Sequence, residues 1–236
     1  TFLFFLGVIS LVAGASKSAP AQMTAKEKAS QIKKAGKTAN DASKVINELM
    51  RIPASSIPES LFKDAKAIAV FPGVVKAAFI VGGGGGQGMI SRRLASGWSA
   101  PTAYKFASGS AGFQIGGSKT DLVMLFMTDE SLKNLLEDQF EIGGEASAAA
   151  GPVGRTAKAT TDAQLQAQIL SYSRTKGLFA GISITGGVIS PDNDRNMALY
   201  GFPAKQLLTG TNKVPIASIP PATKVLQQTL TRHSPK

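Results

Sequence analysis

The feature that most constrains this chain is a run of short apolar segments interrupted by glycine. Ala67–Phe71 and Val74–Val81 read as strands, with Pro72-Gly73 between them. Met89–Arg93, Ser99–Phe106, Ala111–Ile115 and Asp121–Phe126 follow. The same texture returns over 163–190. Strands of this length, unevenly spaced and turned by Gly and Ser, suit a sheet that bends on itself. Glycine makes up 25 of the 236 residues, enough to supply bulges and close backbone approaches at many corners. Regular βαβ alternation is missing, so a doubly wound fold is not expected. The expected class is α+β: a curled antiparallel sheet or barrel-like β core with packed helices, preceded by an N-terminal helix.

That helix is the clearest local signal. Thr24 with Glu27 forms a capping box. Ala25, Ala29, Ile32, Ala35, Ala39, Ala42, Ile46 and Leu49 recur at helical spacing, and Pro53 ends the pattern. Lys26, Lys33, Lys37 and Lys44 stand off the stripe. A mostly alanine stripe suits close packing on another surface, which is either the chain's own domain or a membrane or partner surface. A second short helix is expected from Ser56, with Pro58 in its first turn and Glu59 three residues after the cap. Thr128 should cap a helix running to about Asp138. Short helices or turns are expected over Asp192–Tyr200 and Pro203–Leu208, and a terminal helix over Pro221–Leu230.

Residues 1–15 form an apolar run shorter than the roughly 20 residues that span a bilayer. Followed by Ala19-Pro20-Ala21, they read as the hydrophobic region and cleavage site of an export signal over 1–21, truncated at its amino end. Cleavage at Ala21 removes Lys17 and lowers the formal charge of +11 by one. Leu11-Val12-Ala13-Gly14 resembles the start of a lipoprotein box, but Ala15 occupies the position of the acylated Cys. The organisation expected is therefore 1–21 signal, 22–53 Ala/Lys-rich helix and 54–236 folded domain.

Several chemistries lack their residues. With no Cys and a single His, His233, thiolate metal sites, disulfides and histidine-based triads are excluded. Gly83, Gly85 and Gly88 match GxGxxG, yet no long helix and no acidic residue follow at the required distance. Gly112–Thr120 misses a P-loop because Ser118 displaces Lys119. Asp192-Asn193-Asp194 begins like a calcium loop without its later ligands. The acids at Asp129-Glu130, Glu137-Asp138, Glu141 and Glu145 read as solvated faces. Arg155 is available to pair with Glu145 or Asp194, or to hold a phosphate. Neither a catalytic residue, a metal ligand nor a cofactor is expected.

Charge gives the positive signal. From 65 to 120 there is no Asp or Glu, while Lys66, Lys76, Arg92, Arg93, Lys105 and Lys119 fall in that stretch. Trp98 lies close to Arg93, a pairing that suits a headgroup zone or an ordinary core edge. Anionic phospholipid or a membrane surface is the partner expected, through Lys26, Lys33, Lys37, Lys44, Lys66, Lys76, Arg92, Arg93, Trp98, Lys105 and Lys119. Nucleic acid is not expected, because neither a zinc finger nor an aromatic ladder is present.

Several segments, in order, resemble the SYLF family (DUF500, the Ysc84 actin-binding domain). They are AKAIAVFPG at Ala65–Gly73, Gly82–Gly88, Gly97-Trp98-Ser99 with Pro101, Ser110–Gly116, Asp121–Met127, GEASAAAGPVGR at Gly144–Arg155, YSRTKGLFAG at Tyr172–Gly181 and Asn196–Gly201. The resemblance runs from about 55 to 210. It implies a barrel-like fold, binding of anionic phospholipid and no enzymatic activity. Read with the signal, it suggests an exported bacterial member, periplasmic or peripheral to the outer membrane. An envelope protein partner is an alternative, and actin binding is not expected in that setting.

Overall fold

The computed structural model describes residues 23–51, 56–77, 83–108, 119–144, 146–154, 167–175, 177–212 and 214–234. Helix α1 (Ala25–Arg51) opens it. Its first turn is closed as the sequence predicts. The Glu27 carboxylate accepts from the Thr24 amide at 2.9 Å, and the Glu27 amide donates to the Thr24 hydroxyl at 3.3 Å. Helix α2 (Glu59–Asp64) starts three residues later than expected from Ser56. Pro58, at φ −53° and ψ 132°, is still extended and carries no side-chain cap.

Ten strands follow: β1 (Ala67–Ala77), β2 (Gly83–Leu94), β3 (Gly97–Trp98), β4 (Thr102–Ser108), β5 (Thr120–Phe126), β6 (Phe140–Ile142), β7 (Ala148–Ala150), β8 (Ile169–Thr175), β9 (Leu178–Gly181) and β10 (Gly187–Pro191). Interspersed with and following them are α3 (Asp129–Leu135), α4 (Asn193–Tyr200), α5 (Ala204–Thr209), a 3-10 turn at Ile216–Ser218 and α6 (Pro221–His233). Thr128 caps α3 as expected, and the helix ends at Leu135.

The strands form one sheet in the order β6-β10-β4-β2-β1-β5-β8-β7, with β3 added to β2 and β9 to β8. The sheet curls until its two end strands approach each other. Ile142 of β6 bridges Ala146, two residues before β7, Ala148 of β7 bridges Ile184, three residues before β10, and the Gly143 amide donates to the Ala146 carbonyl at 2.8 Å. The result is an α+β fold around a nearly closed barrel. One pairing corrects the antiparallel expectation: β7 and β8 run parallel.

The central strands are continuous apolar runs because both of their faces are covered. Ala67, Ala69, Phe71, Leu122, Met124 and Phe126 fill the barrel. Ile68, Val70, Val123 and Leu125 face the helix layer of α1 and α6. Pro72-Gly73 does not separate two strands. It makes a bulge within β1, where the register with β2 and β5 shifts and Gly73 takes φ +60°. The glycines from 83 to 88 lie inside β2 rather than in a phosphate loop. At Gly88 a Cβ would sit 2.3 Å from the Phe71 ring and 2.6 Å from the Val70 carbonyl, so β1 and β2 require a bare backbone there. The P-loop-like residues 112–118 lie outside the described residues.

On α1, Ala35, Ala39, Ala42, Ile46 and Leu49 are buried against the body, whereas Ala25 and Ala29 are exposed. The helix docks on its own domain, and its first turns project beyond it. Gly36 meets Ala222 of α6, and Asn47 meets His233 at 2.8 Å.

A charged cleft between the first helix and the barrel

Beside the β1 bulge, α1 and the barrel enclose a cleft of about 330 Å³. Its lining includes Lys37, Asp41, Lys44, Glu48, Gly73, Lys119, Asp121 and Arg174. The lysines and acids of α1 face it because they flank the buried alanine stripe. Lys119 immediately precedes β5, and Asp121 and Arg174 are register partners on β5 and β8. The Arg174 guanidinium donates to Asp121 Oδ2 at 2.7 Å through Nε and also pairs with Glu48, tying α1 to the barrel wall. Asp121 Oδ1 accepts from the Gly73 amide at 2.8 Å. Burial raises the Asp121 pKa, the Gly73 amide opposes that rise, and the charge on Asp41 adds to it. Burial also lowers the Arg174 pKa.

The lysines are held far more loosely. Lys37 Nζ is 2.7 Å from Asp41, with its side chain 80% exposed, and Lys44 Nζ is 3.7 Å from the same carboxylate, 64% exposed. Such solvated pairs hold their partners by only about 0.3–0.5 kcal/mol. Lys119 is exposed and makes no ion pair with a described residue. The cleft therefore offers three exchangeable ammonium groups beside a fixed guanidinium. Phosphate or carboxylate oxygens are the groups that complement it.

Three of the candidate residues, Lys37, Lys44 and Lys119, meet here. Lys26 and Lys33 extend the basic face along α1, both exposed. The Lys76 side chain lies outside the described residues, as do Glu145 and Arg155. Lys66 is at the other end of the barrel, 3.7 Å from Asp129, and Lys105 lies 3.6 Å from Asp192. Three candidates turn inward instead of meeting a ligand. Trp98 is only 3% exposed, with Phe62 edge-on to it at 6.4 Å. Arg93 stacks over that indole at 4.2 Å and donates to the carbonyls of Phe62 and Ala65 and to Ser234 Oγ. Arg92 donates to the Leu208 carbonyl at 2.8 Å. These three fasten helices to the sheet.

Arg174, Glu48 and Asp121 escape a reading of local sequence. Arg174 and Glu48 are 126 positions apart, and only the β5–β8 pairing and the path of α1 bring them together. Asp192-Asn193-Asp194 serves structure: the Asn193 side chain accepts from the Ala204 amide at 2.9 Å, and Asp192 lies 3.3 Å from Arg195. Among the described residues there is no group of three His, Cys, Asp or Glu side chains that would hold a metal.

Comparison with known proteins supplies the family. Residues 107–233 match the Ysc84 family model, described as Las17-binding protein actin regulator. LAS seventeen-binding protein 3 of Saccharomyces cerevisiae is 36% identical over 185 residues, covering 76% of this chain and 40% of that protein. Protein YSC84 of the same species is 38% identical over 170 residues, covering 70% of this chain and 36% of the yeast protein. SH3 domain-containing YSC84-like protein 1 of Homo sapiens is 32% identical over 169 residues, covering 69% and 49%. This chain spans less than half the length of each. Where these names state a function it is binding or regulation, not a reaction. By the match over more than half of its length, the chain belongs to the Ysc84 (SYLF) family.

Proposed function

We propose that the protein is a non-enzymatic binding protein whose cleft and α1 surface take anionic phospholipid. The observation that carries this reading is the convergence of Lys37, Lys44 and Lys119 on one cleft beside Arg174. Among the described residues no helix is long and apolar enough to cross a membrane, so attachment by these elements rests on charge and surface fit. Each exposed lysine near an acidic bilayer contributes about 1 kcal/mol, so three contribute about 3 kcal/mol, or roughly a hundredfold in affinity. Flotation with phosphatidylcholine vesicles, with and without phosphatidylserine, tests it. The expected result is binding to the acidic vesicles alone, and its loss in the K37E/K44E/K119E variant. Failure to bind either vesicle, or unchanged binding by the variant, refutes it.

A place in the cell envelope belongs to the same proposal, with residues 1–21 as the export segment. Its check is the mass of the secreted chain, expected to begin at Gln22. A second reading, docking on a protein of an envelope or membrane complex, is favoured by relatives named for binding another protein. A partner that co-purifies and is lost on reversal of the same lysines supports it over the first.

A further inference from the structure

The strand registers place two exposed apolar side chains at the barrel end next to the cleft. Ala77 pairs with Gly83, Gly84 with Ser108, Ser108 with Gly187, Val74 with Thr120, Asp121 with Arg174, and Thr175 with Leu178. Seven strands thus bring a terminus to the same end. There the β8–β9 hairpin turns through Gly177 at φ +85° and presents Leu178, 71% exposed and the most exposed large hydrophobic residue among those described. Val75, 48% exposed, lies at the same end on β1. Singly exposed apolar side chains are common on protein surfaces; what sets these two apart is that both lie at the barrel end that also carries exposed ammonium groups.

What surrounds them identifies the occupant. Lys119, at the start of β5, and Lys37 and Lys44, across the cleft on α1, present exposed ammonium groups beside this end. An apolar tip flanked by cations complements a surface that is anionic outside and hydrocarbon within. We infer that this end of the barrel is the membrane-facing end, with the Leu178 hairpin tip seated in the acyl region of an anionic bilayer while the lysines of the cleft contact its headgroups. This inference rests on the phospholipid reading and adds an orientation and a depth to it.

The chain has no Cys, so one substitution creates a unique labelling site. A nitrobenzoxadiazole fluorophore is placed on Leu178→Cys and, as a control at the opposite end, on Ser96→Cys in the exposed β2–β3 turn. With phosphatidylserine-containing vesicles the label at 178 is expected to shift to the blue and to be quenched by acyl-chain nitroxides, while the label at 96 is not. Leu178→Asp, on an exposed tip that leaves the core untouched, is expected to weaken vesicle binding about tenfold or more. If the labelled protein floats with the acidic vesicles and the label at 178 stays in water, the insertion is overturned and the phospholipid reading stands. If no labelled or unlabelled protein floats, the phospholipid reading itself has failed, and the orientation with it. A blue shift that grows with protein concentration without vesicles assigns the tip to a second copy of the chain and also overturns the inference.

Discussion

Gly36 lies on the buried side of α1, opposite Ala222 near the start of α6. Elsewhere in a helix, Gly→Ala gains about 1 kcal/mol. Here an added Cβ would lie 2.7 Å from the Ala222 Cβ and 3.6 Å from its Cα and carbonyl oxygen. Carbon atoms pack best at about 3.5–4.0 Å, so the helices must part by close to 1 Å. Overpacking of this kind costs about 1–3 kcal/mol. Set against the propensity gain, Gly36→Ala is expected to destabilise by about 1 kcal/mol. Ala222→Gly removes the opposing methyl in the first turn of α6 and should cost about 0.5 kcal/mol alone. In the double variant the clash disappears and the propensity gain returns, leaving it about 0.5 kcal/mol above the parent. The coupling between the sites is therefore about 2 kcal/mol. Urea titration followed by emission of Trp98, the single tryptophan, measures all four proteins. Effects that add to within about 0.3 kcal/mol, or a stabilised Gly36→Ala variant, would refute the α1–α6 contact. Because Lys37 follows Gly36, parting the helices also moves it relative to Lys119, and Gly36→Ala should weaken vesicle binding while the double variant restores it.

Arg93→Ala leaves two carbonyls and the Ser234 hydroxyl without their donor, and is expected to cost about 2–4 kcal/mol in urea titration. Arg93→Lys should recover less than half of that, and vesicle affinity of either folded variant should stay within about twofold of the parent. Lys66→Glu, at the opposite end from the cleft, should weaken flotation with acidic vesicles several-fold less than Lys119→Glu, since screening over about 8–10 Å limits its reach; equal losses would mean that a diffuse field does the binding. His233 is the only histidine, and burial, followed by the charge of Arg232, lowers its pKa in the fold. Its neutral form is the one folding favours, so its contribution is complete above the ordinary value of about 6.5 and is lost as pH falls from there through the folded pKa. Thermal melts at pH 7.5 and 5.5 should differ less for His233→Asn than for the parent.

The barrel was legible because the chemistry that builds it is local. Ala67–Phe71 and Leu122–Phe126 are unbroken apolar runs, as strands covered on both faces must be, and Thr24 with Glu27 marks a helix start with residues three apart. The parts that escaped notice depend on distant partners. β6 and β7 are three residues each: FEI alternates but is too short to announce a strand, AAA does not alternate at all, and both are held by pairing with β10 and β8. Pro72-Gly73 looks like a turn from its own residues. Only β2 and β5, pairing on both sides of it, make it a bulge. Likewise the stripe on α1 is regular from Ala25 onward, but burial depends on where the domain's surface ends, and that is decided by α6 and the sheet.

The charge pattern shows the same division more sharply. A stretch of 56 residues without an acid suggests a basic face, yet antiparallel strands and packed helices place side chains next to residues far along the chain. Asp129 reaches Lys66, Asp192 reaches Lys105, and Asp121 lines the cleft with Lys119. Two of the six cations, Arg92 and Arg93, serve carbonyls inside the fold. Among the described residues of that stretch, Lys119 makes no ion pair and Lys66 is held only by a solvated one, at the opposite end of the barrel; Lys119 is the one that meets Lys37 and Lys44, from a helix outside the stretch. A net charge of +11 acts on partners at long range, as steering. Which cations meet at the cleft follows from the register of β5 and β8 and from how α1 docks on them, rather than from the order of residues along the chain.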